Sequence, residues 1–300
     1  MPSGEKTMFS EMRQGILVDS SGTFNLSQIV NSGQCFRLVE YPHRNYVAVT
    51  GNHMVDISYI SLTDSYLFRC SRRDFEDIWY PYFDFDTDYR IFQEKMQGDL
   101  FLRDAIQAGG GIRILKQDIW ETVITFVISQ RNNIPRIRGS VNKLCQEYGT
   151  LIGYDRFKNP HYSFPTPEQL RGKDLSVASL GYRCKYVEML THYNEGYWKE
   201  LVEMSDIEAK EALLSIHGVG EKVANCIMLF GLHRMDSYPR DVWINRLIDD
   251  VYHGDFDASK YEGFVGYVQQ LQFYHYRKIQ KGGVKNDCKS MRYDHGSRQN

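Results

Sequence analysis

Between Ala212 and Ile248 the sequence ALLSIHGVGEKVANCIMLFGLHRMDSYPRDVWINRLI places an amine, Lys222, and a carboxylate, Asp241, at the openings of two consecutive helices. A neutral amine is a nucleophile, and a carboxylate stabilises positive charge that develops beside it. The turn His217-Gly218-Val219-Gly220 lies just before Lys222. Its two glycines permit positive φ and remove side chains, so backbone N–H groups there and at the next helix start can face a phosphate. Each part has an ordinary alternative: a turn between helices, a surface lysine, a capping aspartate. Together, with lysine and aspartate nineteen positions apart, they read as a helix-hairpin-helix that can hold a nucleic-acid backbone.

The elements that must hold this pair are legible from periodicity. A helix ends near Ile216, and another starts near Glu221. Pro239 precedes Asp241, which stands where an N-cap opens VWINRLI. Upstream, Asp118 with Glu121 reads as a capping box leading into Ile119, Trp120, Val123, Ile124, Val127 and Ile128, and Ser205 with Glu208 reads as a second. Ile137, Val141, Leu144, Cys145 and Tyr148 form one helical face that Gly149 ends, and Thr166-Pro167 opens another helix. From Gln34 to about Ile60, apolar and polar residues alternate between turn signals at Pro42, Asn45 and Gly51-Asn52, the pattern of antiparallel hairpins. The fold class is therefore α+β: an antiparallel sheet domain over residues 1–112, a mostly α-helical domain over 113–280, and a polar tail over 281–300. Gly109-Gly110-Gly111 reads as a flexible joint between the two domains.

Composition bounds the rest. The 300 residues are 42% hydrophobic and 14% aromatic, with 36 Lys plus Arg against 38 Asp plus Glu, a formal net charge of −2. That excludes a chain dominated by disorder. No apolar run reaches the ~18 residues of a membrane span, and the N-terminus has no secretory stretch. Six dispersed cysteines without a CxxC pair argue against a disulfide framework and against a zinc or iron–sulfur cluster, so no metal or cofactor is expected. The charge shows no basic excess, but it averages an uneven chain: Arg131, Arg136, Arg138 and Lys143 form an acid-free stretch, while Asp84, Asp86 and Asp88 cluster elsewhere. Residues 271–300 carry seven Lys or Arg against two Asp.

The arrangement LxxIxGVGxKVAxCI…PxDV resembles the signature of base-excision DNA glycosylases, specifically the 8-oxoguanine DNA glycosylase family. SGQCFRL (32–38) is similar to that family's GQSFRW, RNNIPRIRGSVNKLCQEYG (131–149) to its NNNIARITGMVERLCQAFG, and LGYRCKYV (180–187) to its LGYRARYV. GYVQQLQF (266–273) falls where the family has GWAQAVLF. The resemblance runs in consistent order over about residues 24–278.

What it implies is a bifunctional glycosylase and apurinic-site lyase that flips 8-oxoguanine out of duplex DNA and excises it. Lys222 matches the nucleophile. A free lysine has a pKa of about 10.4, so such a site must lower it by desolvation or nearby positive charge. Asp241 matches the aspartate that stabilises charge on the sugar. Gly33 would offer its carbonyl to the N7 proton that guanine lacks, Phe273 and Cys226 would sandwich the base, and Gln269 would meet its Watson–Crick edge. Arg136 and Arg183 match arginines that read the unpaired cytosine, Tyr182 matches the wedge, and Arg131, Asn132 and Asn133 lie in the loop filling the vacated space. Gly218 and Gly220 belong to the hairpin that holds the DNA.

Three positions depart from the pattern. Arg131 replaces the first of three asparagines, which implies a relaxed preference for cytosine opposite the lesion. Trp243 replaces a histidine that contacts phosphate, and Cys35 replaces a serine. Alternatives are a non-catalytic helix-hairpin-helix DNA-binding module, against which Lys222 and Asp241 speak, and a glycosylase for another oxidised base. Relatives with an iron–sulfur cluster would need four clustered cysteines near the C-terminus, where only Cys288 stands. The expected partner is double-stranded DNA carrying an oxidised purine, with no membrane and a monomeric chain. The expected compartment is a prokaryotic, nucleoid-associated cytoplasm, or the nucleus if the host is eukaryotic.

Overall fold

The computed structural model describes residues 9–20 and 22–282, so nearly all of the polar tail expected over 281–300 lies outside the described residues. Six strands, Phe9–Met12 (β1), Gly15–Asp19 (β2), Leu38–Tyr41 (β3), Asn45–Thr50 (β4), His53–Ile60 (β5) and Ser65–Phe68 (β6), form one antiparallel sheet in the order β1-β2-β6-β5-β4-β3. The alternating stretch accounts for β3 to β5. Gly51-Asn52 closes β4 on β5 with Thr50 opposite His53, and Gly51 takes the positive φ of 52° that a two-residue hairpin turn favours. Ile16, Val18, Tyr46, Ala48, Val55, Ile57, Tyr66 and Phe68 bury one core together with the helix Leu26–Asn31 and the aromatic rings of Phe24, Phe75, Phe83 and Phe85.

The rest is helical and surrounds the helix Ile119–Ile128, in which every residue but Ile119 and Glu121 is buried. A helix apolar on all sides belongs at a centre. Around it lie Ile134–Tyr148, Cys184–Leu190, Glu195–Glu203, Asp206–Ser215, Glu221–Phe230, Val242–Tyr252 and Val265–Lys281. The face read on Ile134–Tyr148 is the buried one, through Ile137, Val141, Leu144 and Cys145. Ser205 and Glu208 form the reciprocal capping box. Asp118 caps its helix through the Glu121 N–H, while the Glu121 carboxylate lies 3.6 Å from Arg37 in the segment leading into β3. Burial pushes the Glu121 carboxyl up to about 7 against the pull of Arg37. Among the described residues no helix is long and apolar enough to cross a membrane.

The run Gly109-Gly110-Gly111, expected to be a flexible joint, is buried and packed. A Cβ at Gly110 would stand 2.6 Å from the Ile106 carbonyl oxygen, and one at Gly111 2.4 Å from Asn25 Cβ. These glycines let two backbones touch: Asn25 N–H donates to the Gly111 carbonyl at 2.8 Å, and Gly111 N–H to Gln28 Oε1 at 2.8 Å. Just beyond, Arg113 is 1% exposed and donates to Thr23 O and Asp84 O. Asp84, fully buried, accepts from Tyr89 Oη at 2.8 Å and pairs with Lys116 at 2.9 Å and His233 at 3.4 Å. This polar knot joins the sheet core to the helical core. The helices Tyr89–Lys95 and Leu100–Gly109 share the helical core through Tyr89, Phe101, Leu102 and Ala105.

Candidate active site and nucleic-acid interface

Ile216 leaves the helix Asp206–Ser215 in extended conformation, and Val219 N–H returns to its carbonyl at 3.0 Å, which makes the hairpin. Gly218 sits at φ +93° with the Tyr186 ring 2.7 Å from where a Cβ would be, so both conformation and space demand glycine. Gly220 has open space at that place and caps the next helix without a side chain. The first-turn N–H groups of Glu221–Phe230 are thus left for an external acceptor.

Lys222 is the second residue of that helix and half-buried. Its Nζ donates to Ser129 Oγ at 3.3 Å and lies 5.4 Å from the centre of the Phe126 ring. The Ser129 hydroxyl gives its single proton to Phe126 O at 2.7 Å, so it can only accept from the amine. Ser129 fixes one N–H of Lys222 in this way, and the amine also meets the Cys226 thiol. One turn on, Cys226 is buried; burial raises its thiol pKa, and the neighbouring Lys222 amine opposes that rise.

Asp241 caps Val242–Tyr252 as expected, Oδ1 accepting from Trp243 N–H and Ile244 N–H at 2.9 Å each. Lys222 and Asp241 are not in ion-pair contact. Lys222 meets Cys226, and the charge of Asp241 also reaches that thiol. Gln269 is buried and donates to Pro239 O at 3.1 Å, which ties the helix Val265–Lys281 to the turn that delivers Asp241. Its Oε1 accepts from Gln270 at 3.2 Å, so both ends of its amide are engaged within the protein. Phe273, one turn further and half-buried, meets the sheet domain at Gly33. A Cβ at Gly33 would stand 3.3 Å from Phe273 Cε1 and 3.1 Å from Ile134 Cδ1, and its φ is +81°. Lys222, Cys226, Asp241, Gln269, Phe273 and Gly33 therefore come from four segments to one locality.

The loop and wedge residues gather on the neighbouring edge, with different commitments. Arg131, at φ +46°, and Arg136 are exposed, and neither guanidinium has a partner among the described residues. Asn132 donates to Ile128 O at 3.1 Å and Asn133 is the N-cap of Ile134–Tyr148, so both asparagine side chains maintain the loop. Tyr182 is 47% exposed, its hydroxyl 3.3 Å from Gln130 O and its ring 4.5 Å from Arg183. Arg183 is buried and donates to Leu180 O at 3.1 Å, to Arg131 O at 3.0 Å and to Gln130 O. Trp243 is half-buried and packed on the helical core, 5.8 Å from the Arg246 guanidinium. Cys35 sits in the sheet core with burial pushing its thiol up to about 12, away from any phosphate role.

Three positioning residues were not singled out from sequence. Gln130 Nε2 donates to Gly218 O at 2.8 Å while its carbonyl receives Tyr182 and Arg183, which joins loop, wedge and hairpin. Ser129 holds the amine. Gln34 is fully buried, donates to Arg113 O at 2.9 Å and accepts from Leu115 N–H at 2.9 Å, which fixes the turn presenting Gly33. The partner in each case is about 80 to 90 positions away, and no periodicity shows such a pairing.

Residues 16–123 match the family model described as 8-oxoguanine DNA glycosylase, N-terminal domain. The N-glycosylase/DNA lyase of Saccharomyces cerevisiae is 37% identical over 155 residues, which are 46% of this chain and 41% of that protein, so the alignment spans less than half of that relative. Among solved structures, MBOgg1 in complex with a low affinity DNA ligand is 33% identical with a TM-score of 0.83, over 91% of this chain and 98% of that one. The Clostridium acetobutylicum 8-oxoguanine glycosylase/lyase, in complex with dsDNA containing cytosine opposite to 8-oxoG, is 28% identical with a TM-score of 0.80, again over 91% and 98%.

Proposed function

The chain belongs to the 8-oxoguanine DNA glycosylase family, and from that membership we propose that it is a base-excision repair enzyme that flips 8-oxoguanine from duplex DNA, excises it and cleaves the resulting abasic site. The observation that carries the reading is Lys222: an amine at an uncapped helix start, held by one N–H on Ser129, beside a buried thiol and the Asp241 carboxylate. The amine's electron pair attacks C1′ of the deoxyribose, and the glycosidic pair leaves with the base. The nitrogen then loses one proton, and its electron pair makes the C1′=N bond of a Schiff base as the C1′–O4′ bond breaks and O4′ takes a proton; removal of a C2′ proton then expels the 3′ oxygen. Asp241, with Oδ1 fixed by two backbone N–H groups, keeps negative charge next to the sugar as positive charge develops on it.

The flipped base would lie between Cys226 and Phe273, with the Gly33 carbonyl at its N7 proton and Gln269 at its far edge. A buried thiol stays neutral and packs as a small apolar group. Tyr182 would fill the gap, and Arg131, Asn132, Asn133, Arg136 and Arg183 would line the unpaired base. Gly218, Gly220 and the face of Trp243 would lie along the backbone. The protein is proposed to act as a monomer, in a prokaryotic cytoplasm or a nucleus.

Borohydride trapping on an 8-oxoguanine duplex tests the assignment. The native chain should form a covalent adduct and Lys222→Gln none; an adduct of undiminished yield with Lys222→Gln would remove the lyase mechanism. A second measurement addresses Arg131. Excision rates with C, A, G and T opposite the lesion should differ less than in an Arg131→Asn variant, and an equally strong cytosine preference in both would reject that role.

A further inference from the structure

Gln269, Phe273 and Arg277 follow one another at intervals of four along Val265–Lys281 and so form a single stripe on the helix. Burial falls along it: Gln269 is 4% exposed, whereas Phe273 and Arg277 are half-buried. The Arg277 guanidinium lies 4.7 Å from the centre of the Phe273 ring. It makes no hydrogen bond and no ion pair within the described protein, and none of its nitrogens is sealed from solvent. The charge of Asp241 reaches it. A half-buried fork of five donors with no acceptor, one turn from the ring expected to stack a base, is unlike Arg183 or Arg113, whose donors are taken by carbonyls.

A nucleotide enters such a pocket base first, so its phosphate stays at the mouth. Along this stripe the base edge belongs at Gln269, the base plane at Phe273 and the phosphate beyond it. We propose that Arg277 is the ligand for a phosphate flanking the extruded nucleotide, a contact made only when a nucleotide is flipped. The inference rests on the reading of the site given above. The Phe273 ring holds the guanidinium in place before DNA arrives, which reduces the entropy lost when the fork takes phosphate oxygens.

The test is binding to a duplex with a non-cleavable 2′-fluoro-8-oxoguanosine and to the same duplex undamaged, over a range of salt concentrations. Arg277→Met keeps an apolar stem on Phe273 and removes the fork. It should weaken lesion binding about tenfold and lower the salt slope by about 0.9, the loss of one phosphate contact. Binding to undamaged duplex should change less than about twofold, since that form makes no such contact. Arg277→Lys, which retains the charge, should keep the slope, and thermal melting checks that both variants are folded. Lesion binding weakened with an unchanged slope would reduce Arg277 to a support for Phe273 and overturn the inference, as would equal losses on both duplexes. If the native chain shows no preference for the lesion, the reading of the pocket itself fails; a native preference that survives in Arg277→Met at full strength and slope rejects Arg277 alone.

Discussion

Two places in this molecule gather the same kinds of side chain and use them in opposite ways. At the polar knot a carboxylate, a lysine, a histidine, a tyrosine and an arginine lie within contact distance around Asp84. At the hairpin, Lys222 and Asp241 are looser, half-buried and not paired with each other. By residue type the knot is the richer candidate for acid–base chemistry. Yet Asp84 has no access to solvent, and Arg113 spends its donors on backbone carbonyls. Burial alone would raise the Asp84 carboxyl, but His233, Lys116 and Tyr89 outweigh it and hold it at about 2. Chemistry-capable groups that satisfy one another make a joint. A site needs valences that the protein leaves open, as at the uncapped first turn of Glu221–Phe230.

That contrast can be broken most forcefully at Asp84. Asp84→Ala leaves Lys116 and His233 facing an empty carboxylate position and should cost about 3–5 kcal/mol in chemical denaturation. A loss under about 1 kcal/mol would mean the knot is not what joins the cores. Its pH dependence has a definite sign. With a folded pKa of about 2 against about 3.9 unfolded, Asp84 contributes stability that is complete above pH ~4 and lost as pH falls toward 2. Asp84→Asn should flatten that acid limb.

Glu121 sharpens the comparison from the other side, 13% exposed with Arg37 as its ion-pair partner among the described residues. Its folded pKa of about 7 is raised above the unfolded ~4.3, so the stability linked to its proton is complete below pH ~4.3 and is lost as pH rises through 7. Stability should decline by up to roughly 3 kcal/mol over that window, and Glu121→Gln should remove the slope. An unchanged slope in the variant would place the titrating group elsewhere. The smallest effect is expected at the open site. Ser129→Ala frees the Lys222 N–H without touching its nucleophilicity, and adduct formation should slow by about two- to tenfold, one net hydrogen bond. A fall as deep as that of Lys222→Gln would make Ser129 a participant in the reaction.

The same contrast explains what could be read from sequence. Gly218, Gly220, Lys222, Cys226 and Asp241 belong to consecutive helical turns and caps, where spacing along the chain is spacing in space. The strands β3 to β5 were legible for the same reason, through alternation and a two-residue turn. Gln34, Ser129 and Gln130 were not, because each acts on a partner about 80 to 90 residues away. Spacing gives no sign that Asp84 in the acidic cluster of Asp84, Asp86 and Asp88 is fully buried, because its partners Lys116 and His233 lie far along the chain. Glycines misled in a different way. A run of three is permissive in isolation, and only the approach of Asn25 and Tyr274 shows that these three are there for closeness rather than motion.

The commitment of Arg183 to the carbonyls of Leu180, Gln130 and Arg131 has a thermodynamic corollary. A fork already satisfied within the protein gains only the difference when it trades those oxygens for an acceptor on a base. Swapping of this kind adds little to residence on DNA and much to discrimination, because a base with the wrong edge leaves the trade unfavourable. Two of the carbonyls it would vacate, those of Gln130 and Arg131, belong to the loop that carries Arg131, Asn132 and Asn133. Under the proposed role of Arg183 at the unpaired base, releasing them would loosen that loop, so acceptance of the base and rearrangement of the loop would form a single coupled equilibrium.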